Sequence, residues 1–357
     1  IVGAVGGDFS KGMEVLSNVT REQLELAKKL FAEHICDVEL LDTPLNLHLI
    51  IRAEAGKDCA EVEIRNLHDN ITSIKKNGKQ IYSAKENDGL YYGVLTDRSI
   101  LSFDRIYDFA VNTPIERLKE VFTPQIEDNI RIAEEGLTGK YGVGIGTSII
   151  ANDKSLAAKI KAYAAAASEA RMSGCTLPVI TNSGSGNQGI AASIPVIVYA
   201  REMNLPSEKL YRALALSNLL TIYQKTFIGR LIGYGNDYRA ENCFSYGAVS
   251  AAAASGGAIT YLAGGTPDQI KMTLVNALAN VSGIVCDGAK ASCGAKISAG
   301  LDAAITGHYL ALDNKFYQPH TGILQSDIDE TISAIGRMAM EGMRDTDRVI
   351  LKIMLGE

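Results

Sequence analysis

The sequence has no tryptophan, few aromatic residues and no CxxC pair of cysteines. Only 6% of its 357 residues are aromatic, so it lacks the stacking surfaces with which proteins bind single-stranded nucleic acid. A net charge of −6, without a basic cluster, argues against nucleic acid or an anionic membrane surface as the main partner. The six cysteines form no CxxC pair, which is typical of reduced thiols in the cytoplasm. The composition predicts a cytoplasmic protein with a small-molecule partner, and it leaves a homo-oligomer open.

Long runs of large aliphatic residues are also missing. The longest apolar stretch, Tyr246 to Gly265, consists mostly of Ala, Gly and Ser. Close packing between helices explains such a stretch better than a membrane span does. With 46% hydrophobic residues, the chain can nevertheless bury a large core and is long enough for two domains.

The hydrophobic pattern predicts an α+β fold in two parts. Thr20 and Gln23 form a potential capping box for an early helix. Segments in which apolar and polar residues alternate follow, and this alternation predicts antiparallel strands: DVELLD, LNLHLIIRAEA, AEVEIRN and ITSIKKNGKQIYSA. Asn77-Gly78 within the last of them is typical of a hairpin turn. We therefore predict a small α/β domain at residues 1–105.

The remaining chain has a helical pattern nearly to its end. Pro114 and Pro206 stand at potential helix starts, and Thr266 with Gln269 forms a second potential capping box. Several segments, such as AYAAAASEA and GAVSAAAASGGA, are rich in small residues. Such segments let helices approach closely and leave room for a ligand between them. We predict an all-helical catalytic domain at residues 106–357.

The block TNSGSGNQG at residues 181–189 is the first candidate for a binding site. Its three glycines let the chain turn tightly before a helical run, so that backbone N–H groups can face an anion. Four side chains add donors and acceptors suited to the carboxylate and amino group of an amino acid: Ser183, Ser185, Asn187 and Gln188. The glycine spacing matches neither the P-loop nor the dinucleotide fingerprint. The alternative is a glycine-rich connection between two packed helices.

The block SGIVCDGAKASCGAK at residues 282–296 is the second candidate, because it concentrates thiols and charged groups. On a continuous helix Cys286 and Cys293 would share a face, but would stand about 10 Å apart at ~1.5 Å per residue. That distance is too long for both thiols to bind one small cluster. One of them is the candidate metal ligand, and the alternative is that they pack as small apolar side chains. Lys290 and Lys296 are either catalytic residues or, as the alternative, ordinary solvated lysines on the surface.

In this order, SGSGNQG and SGIVCDGAK closely resemble the L-cysteine desulfidase family, which is related to the alpha subunit of iron–sulfur L-serine dehydratases. The segments ASEARMSGCTLPVITNSGSGNQGI and MRDTDRVILKIM resemble the central part and the C-terminal end of that family, so the resemblance covers essentially the whole chain. It implies an oxygen-sensitive [4Fe–4S] cluster and breakdown of L-cysteine to pyruvate, ammonia and sulfide. It also implies Cys286 as a cluster ligand and, across an apparent insertion in GYGNDYRAENCF, Cys243 as another.

One motif of that family has no match in this chain. It is an early Gly-Cys-Thr-Glu-Pro, whose cysteine is implied to bind the cluster. The chain begins at Ile1 in IVGAVGG, which resembles a segment well downstream of that motif. We therefore expect an N-terminal segment to be missing, and we expect the chain as it stands to hold no intact cluster and to be inactive.

The implied reaction is an α,β-elimination, which needs a base, a Lewis acid at the leaving group and a group that binds the carboxylate. Lys290 and His68 are the two candidates for the base; His68 lies in HDNI, which resembles an HTNI motif of the family. Arg171 and Asp287 are predicted to bind substrate together with the glycine-rich block. Two alternatives stay open: L-serine or another small amino acid as the substrate, and an inactive member that only binds an amino acid.

Overall fold

The computed structural model describes residues 1–43, 45, 47–65, 70–84, 97–228 and 246–357. The fold is α+β and mainly helical, which confirms the predicted class. The described residues belong to two compact units, within the ranges Ile1–Leu95 with Arg348–Glu357, and Thr96–Gly235 with Ala240–Asp347. The domain boundary after residue 105 stays a prediction.

The first unit contains a four-stranded antiparallel sheet with the strands in chain order. The strands are β1 (His48–Ala55), β2 (Asp58–Arg65), β3 (Ile71–Lys76) and β4 (Lys79–Ser83). Val62 of β2 pairs with Ile51 of β1 on one side and with Ile74 of β3 on the other. Asn77 and Gly78, with φ of 49° and 75°, make the turn between β3 and β4 and confirm the predicted hairpin.

One predicted strand is wrong. The segment DVELLD, residues 37–42, has no regular secondary structure and is exposed throughout. Alternation stabilises a strand only when a neighbouring strand and a buried face are available, and within the described residues this segment pairs with no strand.

Two helices precede the sheet, α1 (Val2–Gly6) and α2 (Arg21–Ala32), and a 3₁₀ segment at Phe9–Glu14 lies between them. The predicted capping box begins α2. The backbone N–H of Gln23 donates to Thr20 Oγ1 (3.2 Å), and the backbone N–H of Thr20 donates to Gln23 Oε1 (2.9 Å). This reciprocal pair satisfies two of the backbone donors that a helix start leaves free.

The helices that follow in the sequence are α3 (Phe103–Asn112), α4 (Ile115–Gly136), α5 (Ile145–Asn152), α6 (Leu156–Met172), α7 (Gly186–Glu202), α8 (Ser207–Ile228), α9 (Tyr246–Leu262), α10 (Pro267–Asn280), α11 (Cys293–Leu312), α12 (Ile328–Arg337) and α13 (Arg344–Leu355). A π-helical turn, Met338–Gly342, follows α12. No helix in the described ranges is both long enough and apolar enough to cross a membrane.

The predicted helix starts agree with these bounds. Helix α4 begins directly after Pro114 and α8 directly after Pro206. At α10 the second capping box is present, with Gln269 N–H donating to Thr266 Oγ1 (3.3 Å) and Thr266 N–H donating to Gln269 Oε1 (3.0 Å). Proline at or before the first turn fits because its missing N–H is not needed there.

Small residues form the contacts between the central helices of the second unit. Ala164 to Ala167 on α6 and Ala251 to Ala254 on α9 are at most 1% exposed. Ile190, Ile194 and Ile197 of α7 are fully buried among them. Short side chains let these helices pack closely, so the ends of α6, α7, α8 and α11 can hold loops in fixed positions.

Candidate active site

The glycine-rich block begins with a tight turn. Ser185 N–H donates to Asn182 O (3.0 Å) and Asn182 N–H donates to Ser185 O (3.1 Å). The two central residues, Ser183 and Gly184, have φ of 49° and 82°. Positive φ at both central positions is typical of a type I′ turn; glycine adopts it at no cost, whereas a residue such as Ser183 rarely does.

Four amide side chains from four parts of the second unit form a buried network around this turn. Asn182 Nδ2 donates to Asn218 Oδ1 (2.9 Å), and Gln188 Nε2 donates to Asn182 Oδ1 (2.9 Å). Gln125 of α4 and Asn218 of α8 exchange two further hydrogen bonds, of 3.1 and 2.9 Å. All four side chains are buried. The turn is therefore fixed to α4, α7 and α8 by hydrogen bonds that water cannot replace.

The four predicted substrate-binding side chains of this block all make contacts within the protein. Ser183 Oγ donates to Asn182 Oδ1 (3.0 Å), and Ser185 Oγ caps α7 by accepting from Gln188 N–H (3.3 Å). Asn187 Oδ1 accepts from Arg171 Nη1 (3.4 Å). Ser183, Ser185 and Asn187 are half-buried, whereas Gln188 is buried. Their role in substrate binding stays a prediction.

The second block is a loop up to Cys293, where α11 begins. It is not a continuous helix, so the separation of about 10 Å between Cys286 and Cys293 that a helix would give does not apply. Asp287 accepts from both Lys290 Nζ and Lys296 Nζ. These two partners, Lys290 first, lower the pKa of Asp287 to about 2. Lys296 Nζ also donates to Val285 O (2.8 Å), so it connects the first turn of α11 to the backbone of the loop. Lys290 is exposed.

The two cysteines of this block differ in their surroundings. The Cys293 thiol lies 3.7 Å from Gly288 O, at the first turn of α11. Cys286 is a half-buried free thiol, and in the described part of the chain its side chain has no hydrogen bond. Gly294, beside Cys293, lies so close to α6 that a Cβ there would be 2.6 Å from Ala165 O. The start of α11 is therefore held against α6.

Arg171 lies at the end of α6, and both blocks contact this helix. Its guanidinium donates to Asn187 of the first block. Burial lowers the pKa of Arg171. The start of α11 in the second block packs against the same helix, because Gly294 lies close to Ala165 O of α6. The structure thus brings together three of the predicted site elements: the glycine-rich block, Arg171 and the start of α11.

Glu169, two residues before Arg171, fixes the same end of α6. Glu169 is buried, and its carboxylate accepts from three backbone N–H groups, those of Val143 (2.6 Å), Gly144 (3.0 Å) and Ile145 (2.7 Å). These donors include the N-terminus of α5, which favours a negative charge. The backbone just before Arg171 is therefore held in place from inside the protein.

Cys175 lies in a separate contact that follows α6. A hydrogen bond with this thiol, burial and the Glu135 carboxylate raise the pKa of Tyr141 to about 12. The Tyr141 hydroxyl also donates to Glu135 Oε1 (3.2 Å). Tyr141 is therefore a neutral hydrogen-bonding group at physiological pH, and Cys175 is engaged with it.

Two predicted site residues, His68 and Cys243, lie outside the described residues. Within the described ranges, no group of three His, Cys, Asp or Glu side chains converges as a metal site would require. Of the thiols implied as ligands of an iron–sulfur cluster, only Cys286 is described. Its half-buried thiol is chemically suited to that role, but one thiol is not a ligand set. The described residues alone do not hold a cluster, and we assign no reaction step to one.

Sequence reasoning missed Gln125, Asn182, Asn218 and Glu169. Asn182 belongs to a block that was recognised, yet its importance shows only in its buried contacts. Gln125, Asn218 and Glu169 are single polar residues in segments with a helical pattern, and such residues are usually expected to face solvent. A polar residue on an otherwise apolar helix face is the signal that could have identified them.

Comparisons with known proteins agree on one family. A family model described as serine dehydratase alpha chain matches residues 10–352. A protein of Treponema denticola named "UPF0597 protein" is 44% identical over 361 residues, covering 99% of this chain and 81% of that relative. Proteins of the same name from Lachnoclostridium phytofermentans and Finegoldia magna are 45% and 42% identical, each covering 99% of this chain and 82% of the relative. No solved structure matches the chain.

Proposed function

We propose that this chain, which belongs to the serine dehydratase alpha chain family, is a lyase that degrades L-cysteine to pyruvate, ammonia and sulfide. The observation that supports the proposal best is the position of Arg171. It touches the glycine-rich block through Asn187, and it lies on α6, the helix against which the start of α11 in the second block packs. A cation between a polar turn and a cysteine-bearing loop suits a small zwitterion with a β-substituent.

The proposed chemistry is an α,β-elimination. A base takes the proton from Cα, the electron pair of that bond forms the Cα=Cβ double bond, and hydrosulfide leaves from Cβ. The resulting aminoacrylate tautomerises to an imine, and water hydrolyses the imine to pyruvate and ammonia. The protein must therefore place one base near Cα and exclude water until the sulfur has left.

The proposed roles of the residues follow this chemistry. Ser183, Ser185, Asn187, Gln188, Arg171 and Asp287 bind the substrate. Lys290 or His68 is the base. The Lys290 ammonium is engaged by Asp287, so acting as a base would require Lys290 to leave this partner.

The proposal includes a [4Fe–4S] cluster as the cofactor, with Cys286 and Cys243 among its thiolate ligands. Such a cluster supplies a Lewis acid for the leaving group. This part of the proposal is supported by the family and by the free thiol of Cys286.

L-Serine is the second candidate substrate, because the family model is described as serine dehydratase alpha chain. The reaction would be the same apart from the leaving group, which is hydroxide instead of hydrosulfide. A catalytically inactive protein that binds an amino acid is the remaining alternative.

The test is turnover by the complete gene product, purified without oxygen and supplied with iron and sulfide. Pyruvate and ammonia are measured with L-cysteine and with L-serine, and sulfide is measured with L-cysteine. We expect faster turnover of L-cysteine, and we expect Cys286→Ala to abolish it by removing a cluster ligand. Cys36→Ala, at an exposed cysteine of the first unit, is the matched control and should keep full activity.

The result distinguishes the alternatives. Faster turnover of L-serine would make the protein a serine dehydratase. No turnover of either amino acid by a protein that holds a full cluster would refute the lyase and favour a binding role.

A further inference from the structure

Lys225 of α8 is a buried cation without a counter-ion in the described part of the chain. It exposes 5% of its surface, and none of the described residues gives it a hydrogen bond or an ion pair. Burial alone lowers the pKa of Lys225 to about 8. Lysine is rarely buried so completely unless a charged group pairs with it. The position therefore suits an anion that is not part of the described chain.

The position of Lys225 on α8 relates it to the glycine-rich turn. Asn218 lies seven residues earlier, two helical turns away and on nearly the same face, about 10 Å along the axis at ~1.5 Å per residue. Asn218 is the residue that binds Asn182 of the turn. Lys225 has a long flexible side chain on that same face of the helix.

Gln224, the residue before Lys225 on α8, carries a second unsatisfied polar group. Gln224 donates from Nε2 to Leu220 O (3.2 Å) and to Ser250 O of α9 (3.1 Å), but its Oε1 is buried without a hydrogen-bond partner. Buried polar atoms in proteins almost always have a partner. Gln224 Oε1 and the Lys225 ammonium are thus two buried groups of opposite kind, an acceptor and a donor, that lack partners on one turn of α8.

The polar side chains of the turn are mostly occupied within the protein. Asn182 and Gln188 bind each other, and Ser185 caps α7. Arg171 is the other cation near the block, and it donates to Asn187. Of these two described cations, Lys225 is the one that has no hydrogen-bond partner.

We propose that Lys225 binds the carboxylate group of the amino-acid substrate, as an anion-binding residue on the α8 side of the glycine-rich turn. The inference rests on the proposed function for the identity of the anion. A small carboxylate pairs with the ammonium group of Lys225 and compensates for the cost of burying it. In a purely structural core, an apolar residue at this position would be more stable than an unpaired lysine.

The test is binding of L-alanine and L-alaninamide, measured by calorimetry with the complete, cluster-loaded protein. L-Alanine has no leaving group and is not turned over, and its amide lacks the carboxylate charge. We expect the wild type to prefer L-alanine by at least about 30-fold, because breaking a buried charge pair has effects of that size. Lys225→Met should abolish the preference. Lys209→Met, on the first turn of α8, is the control and should retain it.

A stability measurement shows whether the variant is folded. Methionine has a similar length and no charge, so the melting temperature of Lys225→Met should equal or exceed that of the wild type. A lowered melting temperature with the preference intact would show a structural lysine and overturn the inference.

Two further outcomes separate this inference from the proposed function. An unchanged preference in Lys225→Met together with its loss in Arg171→Met would assign the carboxylate to Arg171 and overturn the inference alone. A wild type that binds neither L-alanine nor its amide would overturn the proposed function and the inference with it.

Discussion

The two blocks near Arg171 are held in opposite ways. In the glycine-rich block, neutral amides bind one another in the interior, where Asn182, Gln188 and Asn218 are buried. In the second block, charged groups pair at the surface, where the Asp287 side chain is 37% exposed and the Lys290 side chain 48% exposed. The first arrangement depends on every member having a partner, whereas the second is screened by water and salt.

The two blocks therefore respond differently to the loss of one residue. Removing one member of a buried network leaves the others without partners, and an orphaned buried group costs more than the lost hydrogen bond. Removing one member of an exposed ion pair lets water take its place. We infer that the first block sets the shape of the site and the second contributes its charge and its thiols.

The largest effect is expected from Asn182→Ala. This change leaves the amides of Gln188 and Asn218 without a shared partner, and we expect the free energy of unfolding to fall by about 3 kcal/mol. Urea unfolding followed by circular dichroism measures it. Asn280→Ala, at an exposed residue at the end of α10, is the control and should change stability by less than about 0.5 kcal/mol. A loss below about 1 kcal/mol at Asn182 would mean that the network is not tightly coupled.

His308 extends the comparison to a buried group that can become charged. Its Nδ1 lies 2.9 Å from Thr260 Oγ1, and burial lowers its pKa to about 4 from an ordinary value of 6.5. As the pH falls below 6.5 the unfolded chain binds a proton that the folded protein does not yet bind. The stability contributed by neutral His308 is therefore lost as the pH falls from 6.5 towards 4, by about 2 kcal/mol between pH 7 and pH 5.

The measurement is the free energy of unfolding of the wild type and of His308→Gln at both pH values. Because carboxylates also titrate in this range, only the difference between the two proteins reports on His308. The wild type should lose about 2 kcal/mol more than the variant does. Equal losses would show that His308 is accessible to protons in the folded state.

Asp287→Asn is expected to have the smallest effect on stability. It removes the charge from contacts to the exposed Lys290 and to Lys296, whose side chain is 18% exposed. Because Asp287 itself lies at the surface, the free energy of unfolding should change by less than about 1 kcal/mol, and by less still in high salt. Turnover of L-cysteine should fall, because Asp287 is a proposed substrate-binding residue. A large loss of stability would show that the second block is as tightly coupled as the first. Unchanged turnover would show that Asp287 does not bind the substrate.

Local signals in the sequence predicted much of the fold. The capping boxes at Thr20 and Thr266 and the Asn77-Gly78 turn are specified by neighbouring residues, and all three are present. The strand predicted at residues 37–42 failed because alternation does not reveal whether a partner strand is available. The family was predicted correctly at the level of the serine dehydratase alpha chain, because two long motifs carry it.

The candidate site was predicted only in part. Both blocks were recognised, and in the structure both contact α6, the helix that carries Arg171. Which polar groups are free and which are occupied depends on contacts between distant segments, such as Gln125 with Asn218, 93 residues apart. For the same reason nothing in the segment YQKTF distinguishes the buried Lys225 from an ordinary surface lysine.

The most direct test of the central claim, that the two blocks form one site for L-cysteine, is sulfide release by the complete gene product with Arg171→Gln measured beside Cys286→Ala. If Arg171 joins the blocks around the substrate, both variants lose sulfide release, while Arg171→Gln retains the absorbance of a loaded cluster. Sulfide release by Arg171→Gln at the wild-type rate would contradict the claim.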